Sequence, residues 1–277
     1  MQRQHLNDIE LSYELAGDGD DTIVLVHGGW TDHLSWQFVV PAFAERHRVL
    51  SYDRRGHSRS VGSARTQASR RQHELDLAAL IETLDLGAVT LVGNSYGGSI
   101  SLGLASRRPD LVCCVIAHEP PLLDVAKLHK PLEADLSNVR AIVAEVSGLL
   151  QAGDPEGGAR LFVEQVLGPG TWQMLPDDNR RTFVANAATF LDMTADPAWA
   201  EVPALDGVPV LLTDGDASPS WLPSIVDALA STAFPYADRH TFAGAGHVPH
   251  LTDPESYATT VQSFASATPA LRVGGPR

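Results

Sequence analysis

The stretch Val89-Thr90-Leu91-Val92-Gly93-Asn94-Ser95-Tyr96-Gly97-Gly98 carries an apolar run into a glycine-flanked serine, and Ser99-Ile100-Ser101-Leu102-Gly103-Leu104-Ala105-Ser106 follows it. The first part reads as a buried strand and the small, apolar last part as the start of a buried helix. Between them the chain must reverse sharply, and Gly93 and Gly97 lack the Cβ atoms that would collide in such a turn. A serine is a poor nucleophile until a base can reach its hydroxyl and backbone N–H groups can receive the developing oxyanion. A strand–turn–helix bend of the form Gly-x-Ser-x-Gly supplies that exposure. Small-residue turns are common, so the pentapeptide needs support from the rest of the chain.

Working outward, strand-like runs alternate with helical segments. Ile9 to Leu15 is expected to pair with a neighbouring early strand as a hairpin. Thr22 to Val26, Arg48 to Tyr52, Val89 to Val92, Leu111 to Ala117, Val208 to Thr213 and Arg239 to Phe242 read as successive strands. Leu75 to Leu84 and Ile225 to Ala230 have helical spacing. Such alternation predicts an α/β fold with a mostly parallel sheet covered on both faces. Residues 120–207 break the pattern, with helical periodicity over Leu132 to Leu150, Ala159 to Leu167 and Asp178 to Leu191. This predicts a core in two parts, 1–119 and 208–277, around an inserted helical cap, with the last ten or so residues disordered. Trp30, Trp172, Met174 and Phe190 are the expected substrate-binding side chains; the other large apolar residues of the insertion are expected to be mostly cap core.

Composition narrows the chemistry. The formal charge of −14 is scattered along 277 residues, so nucleic acid has no electrostatic attraction to the chain. No apolar run approaches the ~20 residues needed to cross a bilayer, and no early stretch resembles a signal peptide. The expectation is a cytoplasmic protein with no membrane partner; the sequence does not set the oligomer, and a homodimer stays open. Cys113 and Cys114 adjoin each other in an apolar run and read as strand residues, not as a disulfide framework or metal ligands.

The base is expected in Gly244-Ala245-Gly246-His247, a glycine-flexed loop after a strand-like run, from which His247 can swing over the carboxyl edge of the sheet. Val24-Leu25-Val26-His27-Gly28-Gly29-Trp30 ends another strand in a glycine loop. The Gly29 and Tyr96 N–H groups are the expected oxyanion hole. Asp53-Arg54-Arg55-Gly56-His57-Ser58 reads as a charged bracing turn with no chemistry, and His250 as structural. With these motifs together, the chain resembles the α/β-hydrolase superfamily over nearly its whole length. That resemblance implies an eight-stranded core and a serine–acid–histidine triad in that order.

The acid departs from the usual pattern. Most members carry it in a turn after the strand that follows the cap, but here the turn reads Gly215-Asp216-Ala217-Ser218-Pro219, and Ser218 fills the expected place. A hydroxyl cannot stabilise an imidazolium as a carboxylate does. Glu119, before Pro120-Pro121 at the tip of the strand next to the serine strand, is the alternative, with Asp214 or Asp216 left open. Here the chain is similar to zearalenone-type lactonases, which use a glutamate at this strand end within His-Glu-x-Pro. The resemblance implies the acid and not the substrate; the residues themselves, with no His-x-x-x-His spacing, predict a hydrolase that uses no metal or cofactor. Ser95, His247 and Glu119 would cleave a hydrophobic small-molecule ester or lactone through an acyl-enzyme. Two other readings remain: a carbon–carbon bond hydrolase acting on vinylogous diketones, and a non-catalytic small-molecule receptor on the same scaffold.

Overall fold

Eight strands form one sheet in the order β1-β2-β4-β3-β5-β6-β7-β8. They are β1 Gln2–Leu6, β2 Ile9–Ala16, β3 Thr22–Val26, β4 Arg48–Tyr52, β5 Val89–Asn94, β6 Val112–His118, β7 Val210–Gly215 and β8 Asp238–Phe242. This computed structural model describes residues 1–61 and 68–268; the terminal segment expected to be disordered lies, from 269 onward, outside the described residues. β1 and β2 form the expected hairpin, turning at Asn7 and Asp8, both with positive φ as a tight hairpin turn demands. β2 runs antiparallel to β4, and every later pairing is parallel.

The period of two along the central strands sorts their side chains into two cores. Val24, Val26 and Leu91 pack with Leu77, Ile81, Ile100 and Leu104 on one face, against helices α2 (Arg70–Thr83) and α3 (Tyr96–Arg107), whereas Ile23, Leu25 and Val92 face Phe43, Tyr257 and Val261. The latter residues belong to α1 (Val40–Ala44) and α11 (Pro254–Ala267). Several boundaries differ from the sequence reading for local reasons. α2 starts five residues early, because the Ser69 hydroxyl accepts the Gln72 N–H and caps it. β6 starts after Leu111, which closes a turn of 3-10 helix from Pro109.

Between β6 and β7 the chain is helical: α4 Glu133–Gln151, α5 Pro155–Val166, α6 Thr171–Met174, α7 Asp177–Asn186 and α8 Ala188–Ala195. The periodic run expected over Asp178 to Leu191 is two helices with a joint at Ala187. Trp30 of the core joins Val146, Ala159, Val163, Trp172, Phe183 and Phe190 in a cluster that seats this insertion. Asn186 fastens it: its Oδ1 accepts the Ser58 N–H at 2.8 Å and its Nδ2 donates to the Trp30 and Thr31 carbonyls at 3.1 Å. After β7 come α9 (Trp221–Ala228) and, beyond β8, α10 (Pro249–Thr252). The segments carrying Trp30, Ser95, Glu119, Asp216 and His247 therefore all leave the same carboxyl edge of the sheet, beside the switch where β3 is flanked by β4 and β5.

Candidate active site

Ser95 sits at φ 53°, ψ −124°, a conformation an L-residue adopts only where its surroundings enforce it, at a cost of about 1–3 kcal/mol. Here the enforcement is visible. The Ser95 N–H donates to the His118 carbonyl at 2.8 Å, and its own carbonyl accepts from Gly98 N–H at 2.8 Å. A Cβ on Gly97 would stand 2.0 Å from the Val26 carbonyl oxygen, and one on Gly93 would stand 2.5 Å from Gly97 and Gly98 backbone atoms. The bend is thus clamped between β3 and its own return, which leaves the Ser95 side chain half-buried at the edge of a cavity.

His247 lies in the loop after β8. Its carbonyl accepts from Asn94 Nδ2 at 2.9 Å, tying this loop to the residue before the serine. Its Nδ1 is 2.5 Å from Glu119 Oε2, and both side chains are buried. A carboxylate accepts only, so Nδ1 carries the proton and Nε2 is free to act as a base. Glu119 is itself fixed: it has φ 44°, its N–H donates to the Thr213 carbonyl at 2.9 Å, and its Oε1 accepts the Gly215 N–H at 3.0 Å. Burial pushes the Glu119 carboxyl up, but the His247 hydrogen bond and charge, His118 and the Gly215 N–H together outweigh burial and hold it down at about 2. His118, with Nε2 3.6 Å from Glu119 Oε2 and Nδ1 2.9 Å from Thr213 Oγ1, is lowered to about 4 by its burial.

The two alternative carboxylates are engaged elsewhere. Asp214 Oδ2 accepts from Arg239 Nη2 at 2.5 Å, and Asp216 Oδ1 accepts the Gly244 N–H at 2.6 Å. Ser218 keeps a buried hydroxyl without a partner among the described residues. Two buried clusters have donor atoms close enough to share a cation, His118–Glu119–His247 and Asp32–His33–Asp53. In the second, Asp53 Oδ1 takes the His33 N–H and Nδ1 at 3.0 and 2.6 Å, and Asp32 Oδ2 takes Ser58 Oγ at 2.9 Å, so the lone pairs serve the loop after β3.

Ser95 and His247 face one cavity of ≈ 60 Å³, with Gly29, Trp30, Tyr96 and Phe190 among its walls. No hydrogen bond joins Ser95 Oγ to His247 in this state among the described residues. Trp172 and Met174 do not reach the cavity, contrary to the sequence reading. α6 is a single turn that buries Trp172 in the cap's own cluster and leaves Met174 75% exposed. Phe162, Met193, Trp199 and Trp221 line the cavity in their stead. Met193 and Trp199 are among the large apolar cap residues of which the sequence expects a few to line the cavity, Phe162 is turned inward by the packing of its cap helix, and Trp221 enters from α9, outside the cap.

Residues 23–260 match the family model described as the alpha/beta hydrolase family. The chain belongs to that family. Among solved structures it is similar to the enol-lactonase from Burkholderia xenovorans LB400, with 20% identity, a TM-score of 0.73 and coverage of 96% of this chain and 100% of that one. It is also similar to Est816, described as an N-acyl homoserine lactone degrading enzyme, with 21% identity, a TM-score of 0.71 and coverage of 95% and 100%. These likenesses show the hydrolase fold. A curated relative, the dihydrolipoyllysine-residue acetyltransferase component of the acetoin cleaving system of Pseudomonas putida, is 36% identical over 100 residues. That match spans 36% of this chain and 27% of the relative.

Proposed function

We propose that the protein is a serine hydrolase that cleaves carboxylic esters or lactones of apolar small molecules. The observation that carries this reading is the 2.5 Å contact of Glu119 with His247 at the rim of the cavity that Ser95 faces. In the reaction Ser95 Oγ attacks the carbonyl carbon as His247 Nε2 takes its proton. Glu119 holds the imidazole in the required tautomer and stabilises its cation, and the Gly29 and Tyr96 N–H groups receive the oxyanion. The imidazolium returns the proton to the leaving alkoxide, and an acyl-enzyme remains. Water, deprotonated by the same histidine, then attacks the acyl carbon, which releases the acid and restores Ser95. In a lactone both products stay on one chain.

The walls favour an apolar acyl or alkyl group. A cavity of ≈ 60 Å³ is far below the roughly 300 Å³ or more of ordinary ligand pockets, so substrate entry requires the cap to shift outward. The Ser95–His247 hydrogen bond is expected to form in the complex, where catalytic hydrogen bonds commonly tighten.

The test is a panel of aryl esters and lactones with purified wild type, Ser95→Ala, Glu119→Gln and Asp216→Asn. Glu119→Gln should lower kcat by roughly 10³–10⁴, as loss of the orienting carboxylate does in such relays, and Asp216→Asn should lower it by no more than about threefold. The opposite ranking in folded protein would overturn the acid assignment. Failure of Ser95 to take up a fluorophosphonate would overturn the nucleophile and favour a receptor. Products decide the bond type, because ester cleavage releases a hydroxyl and carbon–carbon cleavage does not.

A further inference from the structure

Among the described residues three guanidinium side chains are almost wholly buried: Arg54, Arg55 and Arg70. Two have the carboxylates a buried cation requires, Arg55 with Asp76 at 2.7 Å and Arg70 with Glu74 at 3.4 Å. Arg54 has none among the described residues. Its Nε donates to the His27 carbonyl at 3.0 Å and its Nη2 to the Gly28 carbonyl at 2.7 Å. The remaining contacts are imidazole nitrogens, Nη2 to His57 Nε2 at 3.2 Å and Nη1 to His73 Nε2 at 3.3 Å.

Those imidazoles are neutral acceptors, not counter-ions. His27 Nδ1 faces the Gly28 carbonyl at 2.9 Å and His57 Nδ1 the Arg55 carbonyl at 3.0 Å. The proton of each ring is therefore on Nδ1 and the lone pair on Nε2. Burial, and then the Arg54 charge, hold all three rings far below the ordinary histidine range. Burial also pulls Arg54 down, to about 10, which leaves it cationic at neutral pH. Of its five N–H groups one, on Nη1, has no acceptor among the described residues.

This uncompensated charge opens on a recess of ≈ 10 Å³, space for one oxygen-sized group. Gly29, Trp30, Tyr96, Phe190 and Met193 wall both the recess and the Ser95 cavity. The Arg54 guanidinium carbon stands 5.4 Å from the Tyr96 ring centroid, and the buried Tyr96 hydroxyl has no partner among the described residues. The main cavity is apolar; the cation at its side is the exception.

We propose that this recess is a carboxylate subsite, in which Arg54 receives the anionic end of a substrate whose remaining surface is apolar. The substrate class then narrows to esters or lactones bearing a free carboxylate close to the scissile carbonyl. A carboxylate oxygen fits the recess, supplies the missing counter-charge and stays tethered to a body in the adjoining cavity. This deepens the hydrolase reading and rests on it for the word substrate, although anion binding itself does not depend on turnover.

The experiment is calorimetric titration of Ser95→Ala protein with hexanoate and, separately, with the neutral isostere hexanamide at neutral pH and low salt. Hexanoate is expected to bind at least about tenfold more tightly, the advantage of a charge-assisted hydrogen bond in a buried site. In Ser95→Ala/Arg54→Met the ratio should fall to about one, and in Ser95→Ala/Arg54→Lys part of it should return. Equal affinities, or no detectable hexanoate binding, in Ser95→Ala protein overturn the subsite, whether or not the Arg54 variants fold. Equal affinities alongside rapid ester turnover by the wild type sink the subsite alone. A tenfold preference in a protein that turns over no ester sinks the hydrolase reading and leaves the subsite standing.

Discussion

Acid should unfold this protein at a pH where its carboxylates are still ionised. Five buried histidines, His27, His57, His73, His118 and His250, are all held below the ordinary histidine range, chiefly by burial and next by neighbouring cations or imidazoles. Each is therefore neutral in the folded state while the unfolded chain takes up its proton at about pH 6.5. A depressed folded pKa contributes stability that is complete above the unfolded value and is lost as pH falls below it; for His118 the loss runs from about 6.5 down to about 4. A ring that stays neutral in the fold costs at most about 1.4 kcal/mol per pH unit below the unfolded value, and the five losses have the same sign and add. A few such losses are a large part of the stability of an ordinary domain, about 5–15 kcal/mol. Glu119, folded near 2 against a reference of 4.5, cannot contribute until the pH is well below this range. Urea unfolding followed by tryptophan fluorescence at about pH 7.5, 6.5 and 5.5 should show little change over the first step and a steep fall in midpoint over the second. A midpoint that holds steady down to about pH 5.5 would refute the claim that these rings are buried without charge.

Two further outcomes follow from the packing. Gly97→Ala places a methyl carbon 2.0 Å from the Val26 carbonyl oxygen, and backbone cannot yield as a side chain would. Unfolding curves should show a loss of about 3–5 kcal/mol or failure to fold; wild-type stability would mean that the elbow is not clamped against β3. Met174→Ala, at a residue 75% exposed and remote from the cavity, should leave kcat/KM within about twofold, whereas Phe190→Ala should raise KM severalfold and also cost about 3–5 kcal/mol of stability. Steady-state kinetics on one aryl ester compares the two, and equal effects would contradict the cavity assignment.

What could be read from the chain and what could not divides along the range of the interaction. The elbow is partly local: a Cβ on Gly93 would meet Gly97 and Gly98 of the same turn, a reason that can be written from the pentapeptide, whereas Gly97 is required by the Val26 carbonyl of β3. The strands were legible because those of a doubly covered sheet are continuous apolar runs, as Val24 to Val26 and Leu91 to Val92 are. Glu119 could be placed beside Ser95 because the pairing of β5 with β6 brings their ends together whatever the side chains do. The cap failed at the level of faces. Trp172 and Phe190 are both large, apolar and helical, and only the packing of α6 on α5 and of α8 on α4 decides that the first stays out of the cavity while the second lines it beside Trp30.

Arg54 lies further still from legibility. Its turn reads as a charged bracing turn with no chemistry, and a charged turn is ordinarily exposed. It becomes a buried cation only because His27 from the end of β3, His57 from its own turn and His73 from α2 converge on it, three contributions with no common sequence period. Such a cluster is costly to fold, since it strands a charge and holds three imidazoles neutral, and the cost falls on residues beside the nucleophile, where strain and unpaired groups most often mark binding. The acid lability argued above and the carboxylate subsite are then two consequences of one arrangement: an anion seated on Arg54 supplies the charge the fold omits. Hexanoate should accordingly raise the urea midpoint, by mass action on the folded state, and by more than hexanamide does at the same concentration.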